Sequence, residues 1–152
     1  MIEWSQWKTI STRAQGGMNM IVQTITRARD ATDAVEQTKM SIRDVAGIHS
    51  FPGTSTRRAQ GSHGDPVLGA VQLREKLMQK LKQQQTYATS CYDQMLIALD
   101  DIPDPVTRKL FYDRYYSKCG WEQAAGNAGI GVSAAKMRHK RYLDEERRRS
   151  AA

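Results

Sequence analysis

The chain has 152 residues, 23 basic and 16 acidic side chains, a formal net charge of +7 and two cysteines, Cys91 and Cys119. Two cysteines in a chain of this length make no disulfide framework, and neither has a partner at metal-ligand spacing, so no metal site is indicated. No apolar run approaches the roughly 20 residues that span a bilayer, and the opening MIEWSQWKTI carries an acid and no apolar core of signal-peptide length, so a soluble, cytoplasmic protein is expected.

The first 48 residues read as helical. Ile21, Ile25, Ala28, Thr32, Val35, Lys39 and Ile42 alternate spacings of four and three, which places them on one stripe of a helix. Two of these positions are polar and one is alanine, so such a helix depends on a partner for stability. Trp4, Trp7 and Ile10 suggest an earlier turn or two on the same side, with a kink or break at Gly16 and Gly17. Residues 47–66, GIHSFPGTSTRRAQGSHGDP, combine Gly, Ser, Thr and two prolines without periodicity and predict a loop, poorly ordered over 49–65. Arg57 and Arg58 within it read first as a solvated pair, and only second as phosphate contacts.

A second long helix is predicted from Val67 to Ile102, where Met78, Leu81, Gln85, Ala88, Tyr92, Met95, Leu99 and Ile102 again alternate three and four. Two stripes joined by a loop predict an all-α fold that begins with an antiparallel helical hairpin over residues 1–102, with 21–45 running against 71–102 as a short coiled coil. Lys76, Lys80, Lys82, Gln83 and Gln84 read as its solvated outer face. The Met and Tyr positions read as packing rather than a cofactor box.

The sharpest boundary follows. Asp104 is a capping residue and Pro105 fits the first position of a helix, where its missing N–H costs nothing. Three helices are expected in a module over 104–149: 105–117, burying Val106, Leu110, Phe111 and Tyr115; 121–128; and 132–147, with a turn at Ser117 to Gly120. In WEQAAGNAGIGVSAAKMRHKRYL, from Trp121 to Leu143, Ala125 is small enough for the next helix to cross closely. Gly129 follows at the bend, where a positive φ carries no steric cost, and Ile130 is the apolar plug beneath it. A small residue, a bend glycine, an apolar residue and then a basic helix is the pattern of a DNA-reading helix-turn-helix.

Charge supports double-stranded DNA as the partner. From Val106 onward there are eleven basic and five acidic residues, a net +6, whereas residues 1–105 carry only +1. In the last helix Ala135, His139, Tyr142 and Leu143 share the inward face, with His139 read as a hydrogen-bonded structural histidine. Ser133, Lys136, Met137 and Lys140 share the outward face, where a helix in a major groove meets base edges, and Arg138 and Arg141 flank them at the phosphates. The motif core is then Trp121, Ala125, Gly129, Ile130, Ala135 and His139. Gly126, Gly129 and Gly131 follow no strand and precede no Lys-Ser or Lys-Thr pair, so they are no P-loop. His49 and His63 have no carboxylate or nucleophile pattern beside them. No enzyme and no cofactor are indicated.

Arg114-Tyr115, Trp121 to Ala125, Met137 to His139 and Leu143 resemble the C-terminal part of small phage and prophage proteins of the RinA and ArpU type, over about residues 102–146. In these an RY pair, a W-E-x-I-A helix and an R-x-H step form a helix-turn-helix like sigma-factor region four. The order of a helical segment, a Pro/Gly/Ser loop, a long helix and a terminal module is similar too. The resemblance implies a phage or prophage regulator of late-gene transcription that contacts a promoter element or RNA polymerase. The chain departs from the pattern at Ala124, usually Ile; Lys118, often a turn glycine; Gly131, usually Ser or Thr; and Ala135, usually Val. These changes thin the small core and weaken one helix cap. Two other readings stand beside regulation: a small-terminase-like packaging protein, disfavoured by the order of modules, and a helical adaptor that binds protein. A homodimer through the hairpin is a further expectation.

Overall fold

The structure is a computed structural model that describes residues 19–48 and 66–152, and every regular element among them is helical. Two long helices come first, α1 at Met20–Ile48 and α2 at Pro66–Asp100. Then follow α3 at Pro105–Phe111, a π-helical turn at Tyr112–Tyr116, α4 at Trp121–Ala128 and α5 at Val132–Ala151. The expected turns around Trp4, Trp7 and Ile10, the break at Gly16 and Gly17, and the 49–65 connection with His49, Arg57, Arg58 and His63 lie outside the described residues. The connection is also shorter than expected, because Gly47 and Ile48 end α1 and Pro66 opens α2. Proline suits that first position because its N–H would have had no partner there. No described helix is long and apolar enough to cross a membrane.

The chain divides into two compact units, one of residues 28–93 and one of residues 1–27 with 94–152. In the first unit Ala28, Ala31, Val35 and Thr38 of α1 are buried, and the Thr38 hydroxyl donates to Gln84 Oε1 of α2. In this part of α2 Leu77, Leu81, Gln84 and Ala88 are half-buried and Cys91 is buried, whereas Met78 and Gln85 are exposed. This corrects both expected stripes by one residue: Ala31 and Thr38 stand in for Thr32 and Lys39, and Gln84 and Cys91 for Gln85 and Tyr92. A spacing of three or four fits either choice. At three of the four positions the smaller side chain turns inward, which lets the helices approach without burying the Lys39 ammonium, seen instead 2.8 Å from Glu36. Gln84 and Gln85 are the same residue, and Gln84 is the one that accepts from Thr38.

In the second unit Ile21, Val22 and Ile25 at the start of α1, and Met95, Leu99 and Ile102 at the end of α2, are buried with Leu110 and Phe111. The division differs from a boundary at residue 103, and polar contacts explain why. Asn19 Nδ2 donates to the Leu143 carbonyl at 3.2 Å, and the Ile21 N–H donates to Glu146 Oε1 at 3.2 Å. That N–H is one of the orphan donors at a helix start, and a residue 125 positions away supplies its acceptor. Arg108 Nη2 donates to the Ile102 carbonyl at 2.8 Å, tying α3 back to the end of α2.

Two expected spans change. The 105–117 helix is α-helical only to Phe111; the Ser117 N–H then bonds the Tyr112 carbonyl, five residues back. Asp113 accounts for the widened turn: its buried carboxylate accepts from Asn127 Nδ2 at 3.2 Å and its carbonyl accepts from the Cys119 N–H at 2.8 Å. The last helix runs on past 147 to Ala151, supported by Arg149 beside Glu145 and Arg147 beside Asp144, each at 3.9 Å.

Candidate nucleic-acid interface

The site begins at Asp104, whose extended backbone and carboxylate cap α3. Oδ1 accepts from the Val106 N–H at 3.1 Å, and Pro105 follows as the first helical residue. Helix α3 then buries Leu110 and Phe111, while Val106 and Tyr115 stay half-buried. Leu110 forms a small core with Ala124, Ala125 and Ala135, against which Val106, Cys119, Trp121, Ala128, Ile130 and Val132 pack. Three of the four buried members are alanines, so the bulk at this contact comes from the half-buried side chains around them.

The turn between α4 and α5 follows from its residues. Gly129 sits at φ 70°, and its N–H reaches the Ala125 and Gly126 carbonyls. The Ile130 N–H also bonds the Ala125 carbonyl, five residues back, at 3.1 Å, the Schellman closure of a helix end, and Ile130 packs on the core as the apolar residue that accompanies it. Gly131 starts α5 in extended conformation without a side-chain cap.

An aromatic layer fixes the inward side of α5. The His139 ring lies 4.9 Å from Phe111, edge-on to Trp121 at 5.1 Å, with Nε2 2.7 Å from the Tyr115 hydroxyl. Tyr142 meets Phe111 edge-on at 5.2 Å. Burial, with the Arg114 charge adding to it, holds the His139 pKa below its ordinary value, and burial pushes Tyr115 and Tyr142 up. Arg114 itself lies 4.5 Å over the Trp121 ring and donates to the Cys119 carbonyl at 2.6 Å. The histidine and these stacked rings line the inward side of α5.

The structure leaves Ser133, Lys136, Met137, Lys140 and Arg141 exposed together on one side of α5, with Met137 63% exposed, while Ala135 is fully buried and His139 half-buried. Trp121, Ala125, Gly129 and Ile130 occupy the core and turn positions expected of them. Arg138 departs from the set. Its Nη1 donates to Asp104 Oδ2, an oxygen that also accepts from the Thr107 hydroxyl at 2.6 Å. Led by Thr107, the donors around Asp104 hold its carboxyl below the usual carboxylate range, against the opposing effect of burial. A groove of about 370 Å³ lies beside this contact, lined by Ile102, Ala134, Met137, Arg141 and Tyr142 among others.

Sequence reasoning missed three contacts: Arg138 with Asp104, Arg114 with Trp121, and Asp113 with Asn127. Each joins residues of different helices or turns, which no helical periodicity signals. Among the described residues no group of three His, Cys, Asp or Glu side chains is arranged to hold a metal. Comparison with protein-family models, curated proteins and solved structures returns no match to this chain.

Proposed function

We propose that the chain is a DNA-binding regulator of transcription, of the phage or prophage kind that its C-terminal residues resemble. In this reading α4 and α5 are a helix-turn-helix and α5 enters the major groove. The observation that carries it is the division of α5 into two sides. Ala135, His139, Tyr142 and Leu143 face the protein, while Ser133, Lys136, Met137, Lys140 and Arg141 present a polar, basic surface with one exposed methyl group. Lysine donates to guanine O6 and N7, serine to several bases, and a methyl group suits thymine. The net +6 of residues 106–152 supplies the phosphate attraction.

The remainder follows from the same reading. α1 and α2 form an antiparallel hairpin, the part through which two copies pair, and RNA polymerase is the second partner in a cytoplasm. Selection of bound fragments from random duplex DNA tests the proposal directly. An enriched site is expected, with affinity falling steeply as salt rises. Ser133→Ala and Lys136→Ala should each weaken the selected site more than scrambled DNA, by about 1–3 kcal/mol for a good base contact. A folded protein that enriches no site and shows no salt-dependent binding is instead an adaptor, and a ring of many subunits by light scattering points to packaging.

A further inference from the structure

The Asp104 carboxylate joins the start of α3 to the side of α5. Oδ1 caps α3 through the Val106 N–H, and Oδ2 accepts from both Thr107 and Arg138 Nη1. Arg138 therefore leans toward α3, away from the side that carries Lys136 and Lys140. Just upstream, Arg108 reaches Asp100 at 3.8 Å and the Ile102 carbonyl, so the stretch that leads into Asp104 is itself held. Beneath α5 the small core offers Leu110 and three alanines, and the stack of His139 on Phe111 holds the inward face, so the movement left to α5 is a tilt about that stack. A charged tie at its flank restricts that movement.

We infer that Asp104 and Arg138 are positioning residues that set the angle at which α5 meets DNA, and that Arg138 is not a phosphate contact; the inference rests on the proposed DNA-reading role of α5. It reverses an ordinary electrostatic expectation. Removing a carboxylate from a basic DNA-binding face should by charge alone strengthen binding to every sequence. Removing this one frees α5 and costs discrimination.

The experiment uses the full chain with Asp104→Asn, Arg138→Gln, the double variant and Arg141→Ala. Asparagine remains a good helix cap, so Asp104→Asn removes the ion pair without uncapping α3. Binding is measured over a salt series to a duplex selected by the wild-type protein and to a scrambled duplex, with thermal melting of each variant by circular dichroism. Asp104→Asn is expected to hold or raise affinity for scrambled DNA and to lower the selected-to-scrambled ratio several-fold. Arg138→Gln should lower the same ratio, leave the salt slope at its wild-type value, and add nothing further in the double variant. Arg141→Ala should reduce the log–log salt slope by about 0.9, one phosphate's worth. The inference is overturned if Asp104→Asn strengthens both duplexes equally, or if Arg138→Gln reduces the slope as Arg141→Ala does. Wild-type protein that selects no duplex would overturn the DNA-reading role itself, an outcome distinct from either.

Discussion

Gly129 and Lys118 occupy the same left-handed region of backbone space, at φ 70° and 58°. A Cβ at Gly129 would meet nothing within 4 Å, so the cost of Gly129→Ala is purely conformational, about 1–2 kcal/mol lost in chemical or thermal unfolding. Lys118 already bears that strain. Lys118→Gly should relieve it, less the greater flexibility glycine gives the unfolded chain, for a net gain of several tenths to about 1 kcal/mol. His139 makes a pH prediction. Its folded pKa lies below the ordinary 6.5, so the unfolded chain takes up the proton first. The stability linked to this ring is complete above that value and is lost as pH falls through the folded pKa. Melting temperatures between about pH 7.5 and pH 5 should therefore fall in the wild type, and fall less steeply in His139→Gln, which no longer titrates there.

At the scale of the helix the two caps of the C-terminal module differ in kind. Asp104 supplies a capping oxygen to α3, and Asp104→Ala should destabilise by about 1 kcal/mol from the cap alone, with the loss of Thr107 and Arg138 as partners added to it. Gly131 supplies none to α5, although its backbone is already extended and a Cβ there meets open space. Gly131→Ser should gain a few tenths of a kcal/mol, read as a small rise in melting temperature. A serine hydroxyl at that point also lies next to Ser133, so a change in DNA preference would mark the helix start as part of the contact.

Across the whole chain, the contact between Glu146 and the start of α1 links residues near the two ends of the described sequence. One carboxylate oxygen accepts the Ile21 N–H; the other is buried without a hydrogen-bond partner among the described residues. Burial raises the Glu146 pKa above its ordinary 4.5, against the Ile21 and Asn19 hydrogen bonds that lower it. A raised folded pKa means the linked stability is present below the unfolded value and lost as pH rises through the folded one. Glu146→Gln retains an acceptor for Ile21 and has no charge to desolvate. It should melt higher than the wild type at neutral pH, with the difference shrinking as the medium is acidified toward pH 4.5.

The helical character, the cap at Asp104, the bend at Gly129 and the inward set of Ala135 and His139 were all legible in the residues, because each depends on neighbours within about one helical turn. The same local rules divide α5 into an inward and an outward side. They leave open which of two adjacent residues turns inward on a long helix, because spacings of three and four serve either. Only the opposing helix decided for Ala31, Thr38, Gln84 and Cys91, by favouring the smaller side chain at three of them and the Thr38 hydrogen bond at Gln84. Likewise the π turn at Tyr112–Tyr116 answers to Asn127, the lean of Arg138 answers to Asp104, and the start of α1 answers to Glu146. Those outcomes depend on partners from 14 to 125 residues away, and such partners exist only once the helices have packed.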